Sequence, residues 1–396
     1  MQAMRRDALT PSPWLAHDQV LLGLVLVLTA AGIVMMGSAS MDFAAETKEG
    51  NAFYFLTFHT AYVALGLLVM WCMTRVPLAM WNRAGPALLV AGLLLLVLVL
   101  IPGIGRVRNG ATRWMGIGPL NLQPSEVMKF CFVIFFAGHI QRHSREIAEK
   151  LGGLIVPAGV LMLIAVLLLS EPDFGATVVI AGTAVVMLFI AGAHLFPFVI
   201  LLGLAVGAGA LLAIFSPYRM ARLVTYLDPW QEQFGGGYQL VQALIAFGRG
   251  QVMGVGLGNS VQKLFYLPEA HTDFVFAIIA EELGLIGCVM FIALFSALVG
   301  RILWIARAAA ARQQVFAAQV CLGVALVVAG QVFINIGVNA GLLPTKGLTL
   351  PFLSYGGSSL VMLFAMMGLV LRAESEVRSG TTALAAPWQG WRVRNA

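Results

Sequence analysis

The chain has 396 residues, of which 60% are hydrophobic and 11% are charged, and its mean hydropathy is +0.90. Soluble domains contain about 45–50% apolar and about 25% charged residues, so this composition excludes a soluble enzyme, a disordered chain and a coiled coil. The net charge is +6, but the basic residues are scattered over loops without a dense run, which argues against nucleic acid as a partner. We therefore predict an all-α polytopic membrane protein.

A membrane-spanning helix needs roughly 20 apolar residues, and about ten segments of this chain are long enough. They are residues 20–37, 52–73, 86–101, 124–140, 153–169, 176–193, 195–215, 274–303, 315–340 and 350–371. Residues 1–19 then form a cytoplasmic N-terminal segment, residues 20–371 a single membrane domain, and residues 372–396 a flexible cytoplasmic tail. With both termini inside, most of the 24 Lys and Arg residues fall on the cytoplasmic side, as is usual for membrane proteins.

Some basic residues fall on the outer side, against this bias. They are Lys48, Arg106, Arg108, Arg113, Arg219, Arg222, Arg249, Lys263 and Lys346. Positive charge kept on the outer face indicates an anionic ligand there. The alternative interpretation is that these side chains pair with lipid headgroups or with neighbouring acids.

The longest connection between predicted spans is a large periplasmic loop, residues 216–273, which contains no obvious spanning run. Loops of this length in compact proteins are usually functional. Its apolar piece at residues 240–247 predicts a short amphipathic or re-entrant helix at the outer interface.

The strongest local cluster places Glu269, His271 and Asp273 within five residues, where this loop enters the eighth span. An imidazole flanked by two acids at a membrane surface suits general acid–base catalysis. The competing interpretation is that Thr272 or Asp273 only caps the helix that follows.

A second outer cluster, Glu171 and Asp173, lies in a turn between two predicted spans. Paired carboxylates there could bind a metal or orient sugar hydroxyls, and a merely solvated turn is the favoured alternative.

Two isolated basic residues also stand out. Arg113 lies beside Trp114 in the loop before the fourth span, and Lys346 stands among apolar and small residues, where a lysine normally extends to the headgroups.

Three ionisable residues, Lys129, Glu281 and Glu282, fall inside predicted spans. Charges at membrane depth are costly and are usually functional or paired. We predict that these three pair with one another and lock the bundle.

Several absences narrow the chemistry. The sequence has no GxxxxGK[ST] motif for a nucleotide, no HExxH motif for zinc and no GxSxG nucleophile elbow. The four cysteines lie in apolar segments without a short-spaced pair, which argues against a zinc site or a disulfide framework. Any reaction must therefore use the energy of its own substrate.

The motifs together resemble the SEDS family of bacterial cell-wall glycosyltransferases. They occur in the family's order over nearly the whole chain: NLQPSE, EPDFG, YRMARLVTYLDPW, GGGYQLVQALIAFGRG, YLPEAHTDFVFAIIAEELG and PTKGLTLPFLSYGGSS. The QKLFYLPEAHTDF segment is more similar to the cell-division branch of the family than to the elongation branch, in which Arg is common at the position of Ala270.

This resemblance implies polymerisation of lipid II, the undecaprenyl-pyrophosphate-linked disaccharide pentapeptide, on the periplasmic face of the inner membrane. It implies that Asp273 is the essential aspartate and general base, and that Lys346 and Arg113 are the family's basic residues. These two cations, with Arg219 or Arg222, would stabilise the departing pyrophosphate, and a divalent cation (Mg²⁺ or Mn²⁺) could share that role.

The resemblance also implies a partner, a class B penicillin-binding protein transpeptidase of the FtsI type, among other division proteins at the septum. Three alternatives remain open at this point. The chain could be an elongation-type polymerase, a lipid II flippase that uses Lys129, Glu281 and Glu282 as a polar path, or a non-catalytic scaffold.

Overall fold

The computed structural model describes residues 18–108, 111–117, 120–193, 226, 228–344 and 347–380. Its helices are α1 (Gln19–Thr47), α2 (Tyr54–Arg75), α3 (Leu78–Leu100), α4 (Pro124–Glu149), α5 (Ile155–Ser170), α6 (Phe174–Ile190), α7 (Tyr238–Gly250), α8 (Val275–Ala311), α9 (Val315–Asn339) and α10 (Gly357–Ser379). Three short strands, β1 (Gly105–Arg108), β2 (Ala111–Ile117) and β3 (Leu120–Leu122), lie between α3 and α4.

Helices that are long and apolar enough to cross a membrane dominate the described part of the chain, which confirms a polytopic bundle. Six such segments occur there: α1, α2, α3, residues 152–170, α8 and α9. The predicted span 195–215 lies outside the described residues. The predicted first residues of two spanning helices are wrong. Helix α3 begins at Leu78 and carries Pro86 inside it, and α10 begins at Gly357 because a turn precedes it.

Helix α9 lies at the centre of the bundle. In its most apolar window 67% of the residues are buried, against 22% for α2 and for residues 152–170. It packs against α8, α4, α6 and α10, while α10 packs in turn against α2. Because four helices enclose it, α9 is the support on which the loops at each end are placed.

The prediction of an all-α chain missed a small antiparallel sheet with strand order β1-β2-β3. In its register Arg106 lies opposite Trp114, and Met115 lies opposite Leu122. The sequence does carry a signal for this sheet, since the dipeptide Asn109-Gly110 is typical of the two-residue turn of a β-hairpin. This sheet carries Arg113 on its central strand.

Helix α8 is broken at Gly284, whose φ of 65° is outside the helical range. The backbone amides of Val255 and Gly256 donate to the carbonyl oxygens of Glu281 and Glu282 at 3.0 Å each. The amide of Leu285 donates to Gln251 at 2.9 Å. Backbone polar groups at membrane depth need partners from the protein, so the segment after α7 satisfies the break.

The predicted helix at residues 240–247 is confirmed as α7, but it does not lie loosely at the interface. It packs against α8, and its small residue Gly250 sits so close to the Ala280 carbonyl that a Cβ would come within 1.9 Å of that oxygen. The amphipathic pattern therefore marks a helix buried on one face against the bundle.

The three buried charges do not pair with one another, so that prediction is wrong. Lys129 pairs with Glu126 one turn earlier on α4, at 2.8 Å. Glu281 accepts hydrogen bonds from the Ser260 hydroxyl and from the Val261 and Gln262 amides, and it lies 3.6 Å from Arg249.

Glu282 has its own partners. It accepts hydrogen bonds from Ser38 at 2.6 Å and from the Lys263 ammonium at 3.3 Å, and Lys263 also lies 3.7 Å from Asp42. The two glutamates thus face the loop that packs on the break in α8, whereas Lys129 lies on another helix. Each charge therefore has partners close to it, on α4 for Lys129 and on the loop and α1 for the two glutamates.

We expect Lys129→Met to lower the free energy of unfolding by about 3–5 kcal/mol, because it leaves the buried Glu126 carboxylate without a countercharge. Titration of the purified protein with denaturing detergent, followed by circular dichroism, measures the change. Arg145→Met is the matched control on the same helix, since its pair with Glu149 is exposed and worth about 1 kcal/mol or less. Equal losses in both variants would contradict the argument from burial.

Candidate active site

The backbone of Asp273 is held by two asparagines of the central helix. Asn335 and Asn339 each donate from Nδ2 to the Asp273 carbonyl oxygen at 2.9 Å. Asn335 also donates to the Leu348 carbonyl at 2.6 Å, and the Asn339 Oδ1 accepts from the Ala277 amide at 3.0 Å. One pair of side chains thus joins α9, the start of α8 and the segment before α10.

The side chains of Asp273 and Arg113 converge on Gly347. A Cβ placed on Gly347 would lie 3.0 Å from the Asp273 Oδ2 and 3.9 Å from the Arg113 Nη1. Asp273 is half-buried, as is Arg113. A carboxylate and a guanidinium therefore flank one point on the surface of the bundle, beside a residue that has no side chain to fill it. We call this end of the bundle the site face.

Arg113 is oriented by the turn between α5 and α6. Its Nε donates to the Glu171 carbonyl oxygen at 3.1 Å, and its Nη2 donates to the Pro172 carbonyl oxygen. Asp173 holds this turn in place, because its side chain caps α6 by accepting a hydrogen bond from the Ala176 amide at 3.2 Å. Arg113 is thus positioned by two backbone carbonyl oxygens of this turn.

Asp173 also ties this turn to the start of α4. Its Oδ2 accepts from the Ser125 hydroxyl at 2.8 Å and from the Gln123 amide group at 3.3 Å. The Gln123 backbone amide donates to the Ser358 hydroxyl at 3.2 Å. The alternative of a merely solvated turn is therefore wrong, because both Glu171 and Asp173 are buried and Asp173 is structural.

Glu171 is fully buried, and neither of its carboxyl oxygens has a hydrogen-bond partner among the described residues. Burial raises the pKa of this carboxyl from 4.5 to about 8, the nearby Asp173 carboxylate adds to the increase, and Arg113 opposes it. Glu171 is consequently a neutral acid at neutral pH, next to the residue that carries the positive charge of the site.

The capping interpretation of the 269–273 turn is also wrong. The cap of α8 is Phe274, which makes no side-chain capping bond, and the Thr272 hydroxyl donates instead to the Glu269 carboxylate at 2.8 Å. His271 is buried against the rings of Phe43 and Phe55, with centroids 5.1 and 4.8 Å away. These contacts hold the turn and leave the Asp273 carboxylate directed toward Gly347.

The outer basic residues divide into two groups. Arg249 and Lys263 lie beside the buried carboxylates of α8, so for them the pairing interpretation is correct. Arg113 faces the site, as expected for a residue that meets an anion. Lys346, Arg219 and Arg222 lie outside the described residues.

Sequence reasoning missed the two asparagines and the role of Gly347. A signal existed for the asparagines, since two amides four residues apart in an apolar span fall on one helix face. The clamp they form needed the positions of residues 273 and 348, which are far apart in sequence.

The described residues contain no group of three or more His, Cys, Asp or Glu side chains placed to hold a metal ion. The arrangement that they do provide is a carboxylate able to accept a proton and a cation able to stabilise negative charge, both close to Gly347. This pairing suits a transfer in which a hydroxyl is deprotonated and an anion departs.

Comparison with known proteins gives one family. The family model FtsW/RodA/SpoVE, described as cell cycle protein, matches residues 18–379. A Hahella chejuensis protein named probable peptidoglycan glycosyltransferase FtsW is 50% identical over 380 residues, covering 96% of each chain. A Pseudomonas fluorescens protein of the same name is 52% identical over 367 residues, covering 93% of this chain and 88% of the relative.

Solved structures agree with this result. A peptidoglycan synthase complex, described as coordinating polymerization and crosslinking, contains a chain that matches with a TM-score of 0.75 and 31% identity, over 92% of this chain and 99% of that one. The rod shape determining protein RodA of Thermus thermophilus matches with a TM-score of 0.68 and 29% identity, over 92% and 98% of the two chains.

We expect Glu171→Gln to become more stable than the wild type as pH rises. The folded chain binds the Glu171 proton more tightly than the unfolded chain, so this group's contribution to stability is complete below pH 4.5 and is lost as pH rises to about 8. Gln stays neutral throughout, so the difference in unfolding free energy between the two proteins should grow across that window and then level off. Detergent titrations at a series of pH values measure it.

The exposed residue Glu149 provides the control for this experiment. We expect Glu149→Gln to change stability by less than about 0.5 kcal/mol at every pH. A constant difference between wild type and Glu171→Gln would show that folding does not raise the pKa of Glu171.

Proposed function

Because the chain belongs to the FtsW/RodA/SpoVE family, we propose that it polymerises lipid II into the glycan strands of peptidoglycan during cell division. It is a multi-pass membrane protein and, like the FtsW proteins it matches, a peptidoglycan glycosyltransferase. The observation that carries the mechanism is the convergence of the Asp273 carboxylate and the Arg113 guanidinium on Gly347.

Asp273 acts as the general base. Its carboxylate takes the proton from the 4-hydroxyl of the acceptor sugar as that oxygen attacks the anomeric carbon of the donor. The bond from the anomeric carbon to the pyrophosphate oxygen breaks at the same time, and the pyrophosphate leaves with the electron pair. Attack opposite the leaving group inverts the anomeric configuration. The clamp from Asn335 and Asn339 holds the base at this position.

Arg113 stabilises the departing pyrophosphate. A guanidinium matches phosphate oxygens with two parallel donors, and it is already oriented here by the Glu171 and Pro172 carbonyls. A cation held in place before the reaction needs no reorganisation as negative charge develops. Lys346, which adjoins Gly347 in sequence, and Arg219 and Arg222 are proposed to contact the same anion.

We also propose that a divalent cation, Mg²⁺ or Mn²⁺, could assist the departure of the pyrophosphate. Mg²⁺ is commonly bound by one or two carboxylates together with waters and substrate phosphates, so it does not require a cluster of three acids. The described residues offer no such cluster. We therefore assign the ion no step, and activity after chelation and stepwise return of Mg²⁺ or Mn²⁺ tests the requirement.

The orientation of the chain follows from the same proposal. The site face lies on the periplasmic side, where lipid II presents its sugars, and both termini lie in the cytoplasm of the bacterial cell. We propose ten spans, with the seventh in residues 195–215 and a periplasmic loop at residues 216–273, in an inner-membrane protein at the division septum. The match to a polymerising and crosslinking complex supports a class B penicillin-binding protein as partner.

The flippase alternative receives less support from the geometry. It requires buried charges along an open polar path, but Lys129 is neutralised by Glu126, and the two glutamates of α8 are bonded to the loop beside them. The pair of Asp273 and Arg113 near Gly347 has no evident use in transport. A scaffold would not need this pair at all.

We expect Asp273→Asn to lower the rate of glycan formation from purified lipid II by about 100-fold or more, the usual contribution of a general base. Asn has nearly the same shape and cannot accept the proton. The assay uses the purified protein with and without its penicillin-binding partner, the transpeptidase of which is inactivated. Gel analysis of the polymer gives the rate.

Glu46→Gln is the control for this experiment, because Glu46 is an exposed acid near the end of α1 on the site face and should not affect the rate. Polymer from Asp273→Asn at the wild-type rate would remove Asp273 from the mechanism. No polymer from any protein, even with the partner present, would favour transport or scaffolding.

We expect Asn335→Leu to lower the polymerisation rate by about 10-fold or more through displacement of Asp273, because Leu cannot donate to the carbonyls of residues 273 and 348. If Asn335 acts through the base, the double variant with Asp273→Asn should be no slower than Asp273→Asn alone. Multiplicative losses would indicate an independent role. A detergent titration of each variant separates loss of activity from loss of fold.

A further inference from the structure

The break at Gly284 separates an outer part of α8, residues 275–283, from the rest of the helix. On the inner side of the break, the amides of residues 285 and 286 donate to carbonyl oxygens of the loop segment 251–263. On the outer side, the carbonyl oxygens of residues 281 and 282 accept from amides of the same segment. The helical ladder is interrupted there, so the inner part of α8 does not by itself fix the direction of the outer part.

The outer part of α8 carries Asp273 directly before its first turn. At a rise of 1.5 Å per residue, residues 275–283 are about 13 Å long. Asn335 and Asn339 hold the Asp273 carbonyl oxygen, which fixes this helix at one end. A rigid helix held at one end can still tilt about it. The direction of the Asp273 carboxylate therefore depends on how the other end is attached.

The other end is attached through Glu282, the carboxylate of which is fully buried. The Ser38 hydroxyl of α1 lies 2.6 and 2.7 Å from its two oxygens. The Lys263 ammonium donates to the Glu282 Oε1 at 3.3 Å and to the Gly258 carbonyl oxygen at 2.8 Å. The same ammonium lies 3.7 Å from Asp42 of α1. One buried cation thus joins α8, the loop segment and α1.

A second ion pair joins α1 and α8 on the inner side of the break. Arg301 donates from Nε to the Asp18 carboxylate at 2.9 Å, and this carboxylate is buried as well. The two pairs are alike in chemistry and in the helices that they join, but they lie on different sides of Gly284. Continuous helix connects Glu282 to the start of α8, whereas the break intervenes between Arg301 and that end.

We propose that Lys263 and Glu282 are positioning residues for the base, because their ion pair fixes the inner end of residues 275–283 and so sets the direction of the Asp273 carboxylate. This inference rests on the role of Asp273 proposed above. Both residues lie at the far end of the outer helix, so they act through it. A displacement of about 1 Å lowers a rate by about 100-fold, so a small tilt of this helix is sufficient.

The test removes each ion pair as a whole, since a buried charge left alone would destabilise the fold. Lys263→Met with Glu282→Gln removes the outer pair. We expect this double variant to lower kcat for lipid II polymerisation by about 10-fold and to change KM by less than about twofold, because the base is displaced while the substrate contacts remain.

Asp18→Asn with Arg301→Gln removes the inner pair and is the matched control, since Asn retains the cap of α1. We expect the wild-type kcat from this variant, even where a detergent titration shows that it has lost as much stability as the outer one. Equal losses of kcat in the two double variants would overturn the inference.

Ser38→Ala is a milder test, which decides the question if the outer double variant does not fold. It removes one donor to Glu282 and leaves both charges in place, so kcat should fall several-fold without a change in KM. Ser40→Ala is its control on α1, because the Ser40 hydroxyl donates to the Met36 carbonyl oxygen within the same helix. A wild-type kcat from Ser38→Ala and from a folded outer double variant would also overturn the inference.

The Asp273→Asn background separates this inference from the proposed function. If Lys263 and Glu282 act through the base, their double variant should not slow Asp273→Asn any further. A further loss in that background would indicate a role independent of Asp273 and contradict the inference. A wild-type rate from Asp273→Asn itself would refute the base, and this inference with it.

Discussion

The structure depends on the two amide side chains that α9 presents to the start of α8. Backbone groups that leave a helix inside an apolar bundle must find hydrogen bonds within the protein, and Asn335 and Asn339 supply them to Asp273, Ala277 and Leu348. Because one end of this contact is the most buried helix, the segment that carries Asp273 inherits the rigidity of the core. The carboxylate that we propose as the base is therefore attached to a fixed point, although it belongs to a loop.

The same requirement explains the break in α8. Gly284 interrupts the helix, and the segment after α7 supplies the partners that the helix has lost. The acids just before the break then bind Ser260, Lys263 and the loop backbone. Buried charge in this region consequently attaches the long loop to the bundle. Arg113, by contrast, is oriented on the site face by backbone carbonyls.

Much of the candidate site was predictable from residue type. Asp273, Arg113, Glu171 and Asp173 are polar residues at the ends of apolar segments, and such residues are exceptional enough to be recognised in one sequence. Their roles were less predictable. Asp173 is a helix cap and a partner of Ser125, and Glu171 is a buried neutral acid, whereas an exposed pair of carboxylates was the simpler expectation. Burial depends on neighbours from α4 and β2, and local sequence does not specify them.

The sequence by itself determined the membrane class, the apolar helices, the family and the residue types available for catalysis, since composition and hydropathy depend on residues taken singly or in short runs. Only the tertiary structure decided which of those residues meet. Gly347 brings Asp273 and Arg113 to one point, and Lys129, Glu281 and Glu282 separate into different contacts, because these arrangements depend on how helices far apart in sequence pack together.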